Sequence, residues 1–395
     1  MTPAARLSTS IEILDLVLSG QPAGMTLTNW GRQNRYAGSR DRAAIRDIVF
    51  DCLRARRSLS ERGGAETGRA IVLAYSLAQG LDFDAIYTGE GYSPDRLSAQ
   101  EKEVLSRDVA MPDPVRLNYP DFLDGELKVS LGENFEEVME AMLVRAPVDL
   151  RVNFGKGDRA KAQAVLEAED IITKPLEEVP TALRILENHR RVGQSKAYRD
   201  GLVELQDASS QAAALFAQVK PGMKILDYCA GGGGKALALY DAINGQGSVV
   251  AHDIATVRMS DLPTRAARAG ARITVATPNH KDLVAGAFDL VFVDAPCSGT
   301  GSWRRTPDAK WRLSESDLDS FRTVQEGVLR EAARFVKRGG TLAYATCSLL
   351  KRENMDQIDQ FLADHKGFEL QGAQLFTPLD IGDGFFASRL NLKNN

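Results

Sequence analysis

Two of the four cysteines stand where chemistry is done. Cys297 lies in Asp294-Ala295-Pro296-Cys297-Ser298-Gly299-Thr300-Gly301, and Cys347 in Tyr344-Ala345-Thr346-Cys347-Ser348. Each turn follows a short apolar run that reads as a buried parallel strand, so both sulfurs fall on the carboxyl-end rim of one expected sheet. A free cysteine is commonly just a small buried hydrophobe. Two of them on the rim where open α/β sheets bind ligands point to more than packing. The reaction that wants them is methylation at carbon 5 of a pyrimidine. That carbon is too weak a nucleophile to attack a methyl sulfonium. A thiolate adding at carbon 6 turns the ring into an enamine, and covalent catalysis so replaces one inaccessible step by accessible ones. A base must then remove the carbon-5 hydrogen, and an acid near ring nitrogen 3 stabilises the adduct. An ordinary thiol, with a pKa of ~8.5, is only a few per cent thiolate at pH 7. Lys235, Lys310 or a helix N-terminus would supply the positive potential that raises that fraction.

A cofactor loop precedes the cysteines. The run Lys224 to Tyr228 leads into Cys229-Ala230-Gly231-Gly232-Gly233-Gly234-Lys235 and then into a helical stretch. Glycines in such a turn accept positive φ and let the backbone approach a ligand. A P-loop is excluded, because Cys229 stands where its first Gly belongs and Ala236 follows the lysine. A dinucleotide fingerprint matches loosely through Gly231, Gly233 and Ala236. An S-adenosylmethionine loop fits as well, with Asp227 facing the cofactor's ammonium. The loop by itself does not separate these two. Asp253, ending the next strand 19 residues after Gly234, suits both hydroxyls of an adenosyl ribose, or else a plain helix cap.

The elements that must hold these residues are α/β in pattern. KILDYCA, SVVAHDI, RITVAT, DLVFVDA and TLAYATCS are short apolar runs separated by helical stretches, which predicts a parallel sheet covered on both faces. GDGFFASRL predicts a last strand, antiparallel at an edge. The first third reads helical. Thr9 and Glu12 have capping-box spacing, Ile45, Ile48, Val49, Cys52 and Leu53 share one helix face, Arg69 to Ala78 reads as another helix, and Ser98 with Glu101 caps a fourth. Between the two regions lies a strand–helix–strand unit starting at VDLRVNF. Basic residues gather around it: Arg151, Lys156, Arg159, Lys161, Arg184, Arg190, Arg191, Lys196 and Arg199. They read either as a solvated face or as an RNA-contacting one. Arg304, Arg305 and Arg312 would suit phosphate contacts, and Lys310 with Trp311 would suit substrate positioning or core.

Composition narrows the class without choosing the partner. The chain has 395 residues, is 44% hydrophobic and carries a formal net charge of -4. The stretch 81–150 holds 16 acidic residues against 6 basic ones, so the rest of the chain is net basic. Phosphate binding depends on a local basic surface and not on the average. No run approaches the ~20 apolar residues of a membrane span, and the N-terminus lacks a secretory pattern. Cysteines without CxxC spacing argue for a reducing compartment and against structural zinc. The expectation is a cytoplasmic monomer without a metal or membrane partner. The histidines show no ligand spacing.

The whole constellation resembles the Nop/Sun family of RNA cytosine-5 methyltransferases, and within it the RsmB-type branch that acts on bacterial ribosomal RNA. The resemblance rests on LRVN (Leu150 to Asn153), QDASSQ (Gln206 to Gln211), CAGGGGK, DAPCSGTG, RRTPDAKW (Arg304 to Trp311), TCS and GDGFF. It implies a class I S-adenosylmethionine-dependent, Rossmann-like α/β domain over 206–395, preceded by an all-α NusB-like domain over 1–128 and a small α+β RNA-recognition-like domain over 129–205. It implies Cys347 as the nucleophile, with Cys297 assisting release of the product from the covalent adduct. Asp294 would touch base and cofactor as the acid-side group, and Lys235 would contact the cofactor end or the base. The cofactor would lie on Cys229, Ala230, Gly231, Gly232, Gly233, Gly234, Lys235, Asp253 and Asp294. Two departures stand out. Gly232 and its neighbours replace the Pro of the family's CAAPGGK loop, and Asn279 stands nearest the family's adenine-contacting Asp, with Asp282 three residues on. Ribosomal RNA is the implied substrate and transfer RNA the alternative. A nicotinamide oxidoreductase and a non-catalytic RNA-binding assembly factor are the rivals from other classes.

Overall fold

The computed structural model describes residues 1–394, which divide by packing into two compact units. The first comprises Met1–Arg145 together with Trp303–Leu313, and the second comprises Ala146–Ser302 and the chain from Ser314 onward. No helix among the described residues is long and apolar enough to cross a membrane.

The first unit is helical throughout. Its helices Pro3–Leu18, Ser39–Arg54 and Gly68–Ala78 bury Leu14, Ile45, Val49, Leu53, Ile71 and Leu73 in one core. The stripe from Ile45 to Leu53 faces inward as its spacing demands, and Ser98 with Glu101 forms the expected capping box. Thr9 does not start a helix. The first helix begins at Pro3, capped by the Thr2 side chain, because proline is pre-shaped for the first helical turn. Thr9 is buried in that helix's interior. The segment Trp303–Leu313, which lies in sequence between the two cysteine motifs, packs in this unit too. Trp311 Nε1 donates to Leu53 O at 2.7 Å, Arg54 Nε to Arg304 O at 2.9 Å, and the Ala23 N–H to Asp308 Oδ2 at 3.2 Å.

The second unit holds two sheets. The smaller is antiparallel, in the order β2-β3-β1-β4, built from β1 (Asp149–Val152), β2 (Thr173–Pro175), β3 (Ala182–Ile185) and β4 (Val203–Leu205). Helix Arg159–Glu167 covers it with Ala162 and Leu166. The larger sheet contains β5 (Lys224–Asp227), β6 (Ser248–His252), β7 (Ile273–Ala276), β8 (Phe288–Asp294), β9 (Val336–Thr346), β10 (Phe368–Phe376) and β11 (Phe385–Leu392). Its order is β10-β11-β9-β8-β5-β6-β7, with β5 to β9 parallel and β11 antiparallel to both of its neighbours, β9 and β10. Both faces are buried: Ile225, Val249 and Phe292 pack on one side, Leu226, Val250 and Val291 on the other. This explains why the strands read as unbroken apolar runs rather than alternating ones.

The closing strand corrects the sequence expectation. β11 is antiparallel but internal, because β10 pairs outside it. β10 alternates weakly, with most of its middle residues exposed, so it lacks the apolar run that marks its neighbours.

Candidate functional site

The register of the large sheet decides where the chemistry meets. The chain order reverses at β5, which is flanked by β6 on one side and β8 on the other, so a crevice opens beyond its carboxyl end. Asp294 at the end of β8 pairs with Ala345 in β9. Cys297 is three residues past that pair and Cys347 two residues past it, which brings both turns to one point on the rim. Their sulfurs are 3.4 Å apart. They line a cavity of 510 Å³ together with Asp227, the loop residues Cys229 to Gly232, Gly234, Lys235 and Asp294.

The glycine loop is pinned from several sides. The Ala230 N–H donates to His252 O at 2.9 Å, the Gly231 N–H to Asp253 Oδ2 at 2.9 Å, and the Gly233 N–H to Ala230 O at 2.8 Å. Gly233 caps helix Gly234–Ala242 with φ +80°, and a Cβ there would fall 2.2 Å from Leu262 Cδ1. Without the Pro of the family's loop, these hydrogen bonds and the packing of Leu262 hold the turn. The Asp253 carboxylate also accepts the Ala255 N–H at 2.9 Å, so it braces the glycine loop and the turn that follows β6.

Three charged groups set the electrostatics. Lys235 Nζ donates to Asp294 Oδ2 at 2.6 Å and sits 4.8 Å from the centre of the Phe385 ring. Burial opposes its charge, but the charge of Asp294 and the hydrogen bond to it outweigh that and hold the ammonium above its usual range. Asp227 is fully buried, and neither of its oxygens has a well-formed hydrogen-bond partner among the described residues. Burial, with the negative charge of Asp294 adding to it, pushes this carboxyl up to about 7, against a smaller opposing pull from Lys235 and the Ala236 N–H. A buried carboxylate left unsatisfied costs free energy and calls for a partner. At the wall of a cavity beside a glycine turn, the ammonium of an amino-acid-bearing cofactor is such a partner, and the donor set fits one.

The thiols differ. The hydrogen bond to Cys347 and then burial push Cys297 well above the usual thiol range, which keeps it protonated. Burial does the same to Cys229, which lines the cavity as a thiol. Cys52 is sealed in the helical core.

The remaining sequence candidates separate on inspection. Asn279 lies with φ +69° on an exposed turn after β7 and does not line the cavity. Of the two lysines that could lend positive potential, Lys235 lines the cavity. Lys310 is buried in the helical unit, where its Nζ donates to Arg54 O at 3.2 Å and lies 4.6 Å from the Trp311 ring centre. Arg304 is also buried and Arg312 pairs with Asp308, so neither offers the free phosphate contact expected. The basic cluster around the small sheet is thinned in the same way. Arg151 is buried against Asp241 at 3.4 Å, Arg184 chelates Asp149 at 2.8 Å, and Lys156 Nζ donates to Asp200 O at 2.6 Å. Arg190, Lys196 and Arg199 stay exposed, as does Arg191, which pairs with Asp170 at 2.8 Å. Gln206, Ser210, Arg258, Arg265 and Phe321 also line the cavity, and sequence reasoning assigned none of them to it, although Gln206 and Ser210 belong to QDASSQ. It also missed Glu353, whose only signal is its place six residues after Cys347. Among the described residues no cluster suited to a metal ion occurs.

Comparison with known proteins converges on one family. Residues 214–391 match the family described as 16S rRNA methyltransferase RsmB/F, and residues 119–193 match the RsmF/B-like ferredoxin-like domain. Ribosomal RNA small subunit methyltransferase B of Sodalis glossinidius (strain morsitans) is 34% identical over 288 residues, 70% of this chain and 66% of that protein. Its namesake in Escherichia coli (strain SMS-3-5 / SECEC) is 33% identical over 303 residues, 74% of this chain and 70% of its own length. The match thus spans about two thirds of these relatives. The crystal structure of PH0851 shares the fold, with a TM-score of 0.79 over 99% of both chains at 22% identity. The chain belongs to the RsmB/F family of ribosomal RNA methyltransferases, whose methyl donor is S-adenosylmethionine.

Proposed function

We propose that this chain methylates carbon 5 of a cytosine in small-subunit ribosomal RNA, through a covalent adduct between Cys347 and the base. The observation that carries the reading is the pair of sulfurs 3.4 Å apart, in one cavity with the Lys235–Asp294 ion pair and the unsatisfied Asp227. A cofactor site alone would serve many methyl acceptors. A second sulfur beside the first has use where a bond from sulfur to the substrate must be made and then broken.

In this reading Asp227 holds the cofactor's ammonium, the backbone of Cys229 to Gly234 follows its amino-acid end, and Asp253 takes the ribose. Asn279 takes the adenine contact in the same reading, from an exposed turn outside the cavity lining. When bound, S-adenosylmethionine supplies the electrophilic methyl group that an activated carbon 5 accepts. The target base leaves its stack to enter the cavity, at a cost of about a few kcal/mol. Cys347 Sγ adds to carbon 6, and Asp294, oriented by Lys235, serves the ring-nitrogen side of the base. Cys297, held as a thiol against Cys347, gives its proton to the departing Cys347 sulfur, and the thiolate so formed takes the carbon-5 hydrogen in the elimination that frees the product. The division into a helical part over 1–128, an RNA-contacting part over 129–205 and a catalytic part over 206–395 belongs to the same proposal. In it, the exposed Arg190, Arg191, Lys196 and Arg199 give the phosphate contacts.

Radiolabelled methyl transfer into fractionated RNA, followed by mapping of 5-methylcytosine, tests this. Label in a cytosine of small-subunit ribosomal RNA is the expected result. Label confined to transfer RNA, or at another atom, overturns the substrate or the chemistry respectively.

A further inference from the structure

The two cysteine turns are not held by the sheet alone. Behind them lies Glu353, completely buried. Its carboxylate reaches both turns. Oε1 accepts the Ser298 N–H at 2.9 Å, and Oε2 takes the hydroxyls of Ser298 and Ser348. Ser298 follows Cys297 directly and Ser348 follows Cys347 directly. A third tie comes from Gln325 in helix Glu315–Ala333: its Nε2 donates to Glu353 Oε1 at 3.0 Å and to Pro296 O at 2.9 Å. Cys297 is therefore bracketed on both sides by this pair. The turns also touch directly, since Leu349 N–H donates to Thr300 Oγ1 at 2.8 Å and Gly301 N–H to Cys347 O at 2.9 Å. Glu353 does not line the cavity, so it is out of reach of a bound base.

We infer that Glu353 is a positioning residue: one buried carboxylate, accepting from Ser298 and Ser348 together, sets the spacing and the division of labour of the two catalytic thiols. The inference rests on the functional reading above and deepens it. Neutral packing could hold two turns together. A carboxylate adds an acceptor for four donors at once and a negative charge beside Cys297. That charge acts with burial and with the Cys347 hydrogen bond to keep Cys297 protonated. Cys347, Glu353 and Tyr344 act on Cys297 most directly, burial keeps Tyr344 neutral, and the Lys235–Asp294 ion pair lines the same cavity. Cys297 is thereby kept as a proton donor, its sulfur 3.4 Å from Cys347 Sγ.

The test is Glu353→Gln in the full chain, which keeps shape and removes both the charge and one acceptor. Expected is a fall in kcat of about tenfold to a hundredfold, as small misplacements of reacting groups produce. KM for RNA and for the cofactor should stay near wild type. In the free enzyme, iodoacetamide labelling followed by mass spectrometry should show Cys297 becoming reactive at lower pH than in wild type. Wild-type kcat with an unchanged labelling profile overturns the inference, and so does a rise in KM alone. Should Glu353→Gln fail to fold by circular dichroism, the double variant Ser298→Ala with Ser348→Ala carries the test: the same fall in kcat supports the inference, and unchanged kcat and labelling overturn it. The labelling arm needs no RNA. If Cys347→Ala proves active, the functional reading fails by itself, and the labelling profile still decides the role of Glu353.

Discussion

The cofactor end and the sulfur end of the cavity are built on opposite plans. The cofactor end is backbone: a glycine turn between β5 and its helix, pinned by N–H groups and by one acidic side chain from the neighbouring strand, with a single bare carboxylate at its base. The sulfur end is side chain: two turns from β8 and β9, joined by Glu353, Gln325, Thr300 and two serines. A backbone site recognises what many related cofactor users share, whereas a side-chain network fixes two atoms for one reaction. The first plan tolerates changes of residue that preserve the turn. The second should tolerate almost none at the sulfurs.

Substitutions in each end would break or sharpen this contrast. The largest effect belongs to the sulfur end. Cys347→Ala should lower the methyl-transfer rate by at least about a thousandfold, as loss of a nucleophile does, while cofactor binding by calorimetry stays intact. At the cofactor end, Asp227→Asn should weaken S-adenosylmethionine binding by roughly ten- to a hundredfold, the range expected for a hydrogen bond to a charged group.

The same aspartate predicts a pH dependence with a definite sign. Its carboxyl is raised to about 7 in the folded protein, so the unfolded chain gives up that proton first as pH rises. The cofactor-free wild type therefore loses stability from the ordinary carboxylate range up to about 7, and stays at that lower level above it. Cofactor affinity runs the other way, strengthening between pH 6 and about 7 as the carboxylate forms. Denaturation midpoints and calorimetry across this window would show both trends in wild type and neither in Asp227→Asn.

The smallest effects lie within the glycine run and separate two neighbours. Gly233→Ala meets positive φ and Leu262 together and should cost about 1–3 kcal/mol of stability. Gly232→Ala has ordinary φ, and its Cβ would meet only the end of Arg265 at 3.0 Å. It should stay within about 0.5 kcal/mol of wild type. Equal costs at the two positions would mean that the turn is not held as described.

How much could be read from the sequence follows the same divide. The glycine turn, Asp253 and both cysteines were legible because local residue type announces them: glycine for positive φ, an acid at a strand end, cysteine after an apolar run. The central parallel strands were legible because burial on both faces leaves them uniformly apolar. β10 was not, since its exposed middle breaks that pattern. The basic clusters misled, because a lysine or arginine looks the same in sequence whether it meets phosphate or a buried carboxylate; Arg151 and Arg184 do the latter. Glu353 and Gln325 were invisible because the partners they share with the Cys297 turn lie 55 and 29 residues away, and only the pairing of β8 with β9 brings that turn to them; the bond from Ser348 to Glu353, though local, has no signature in sequence.

The most direct test is to capture the bond itself. Cys297→Ala, mixed with substrate RNA and S-adenosylmethionine and run on a denaturing gel, should accumulate a protein–RNA species whose peptide map places the base on Cys347. Cys347→Ala should give none. A trapped species attached elsewhere, or one that forms equally well without Cys347, would contradict the account.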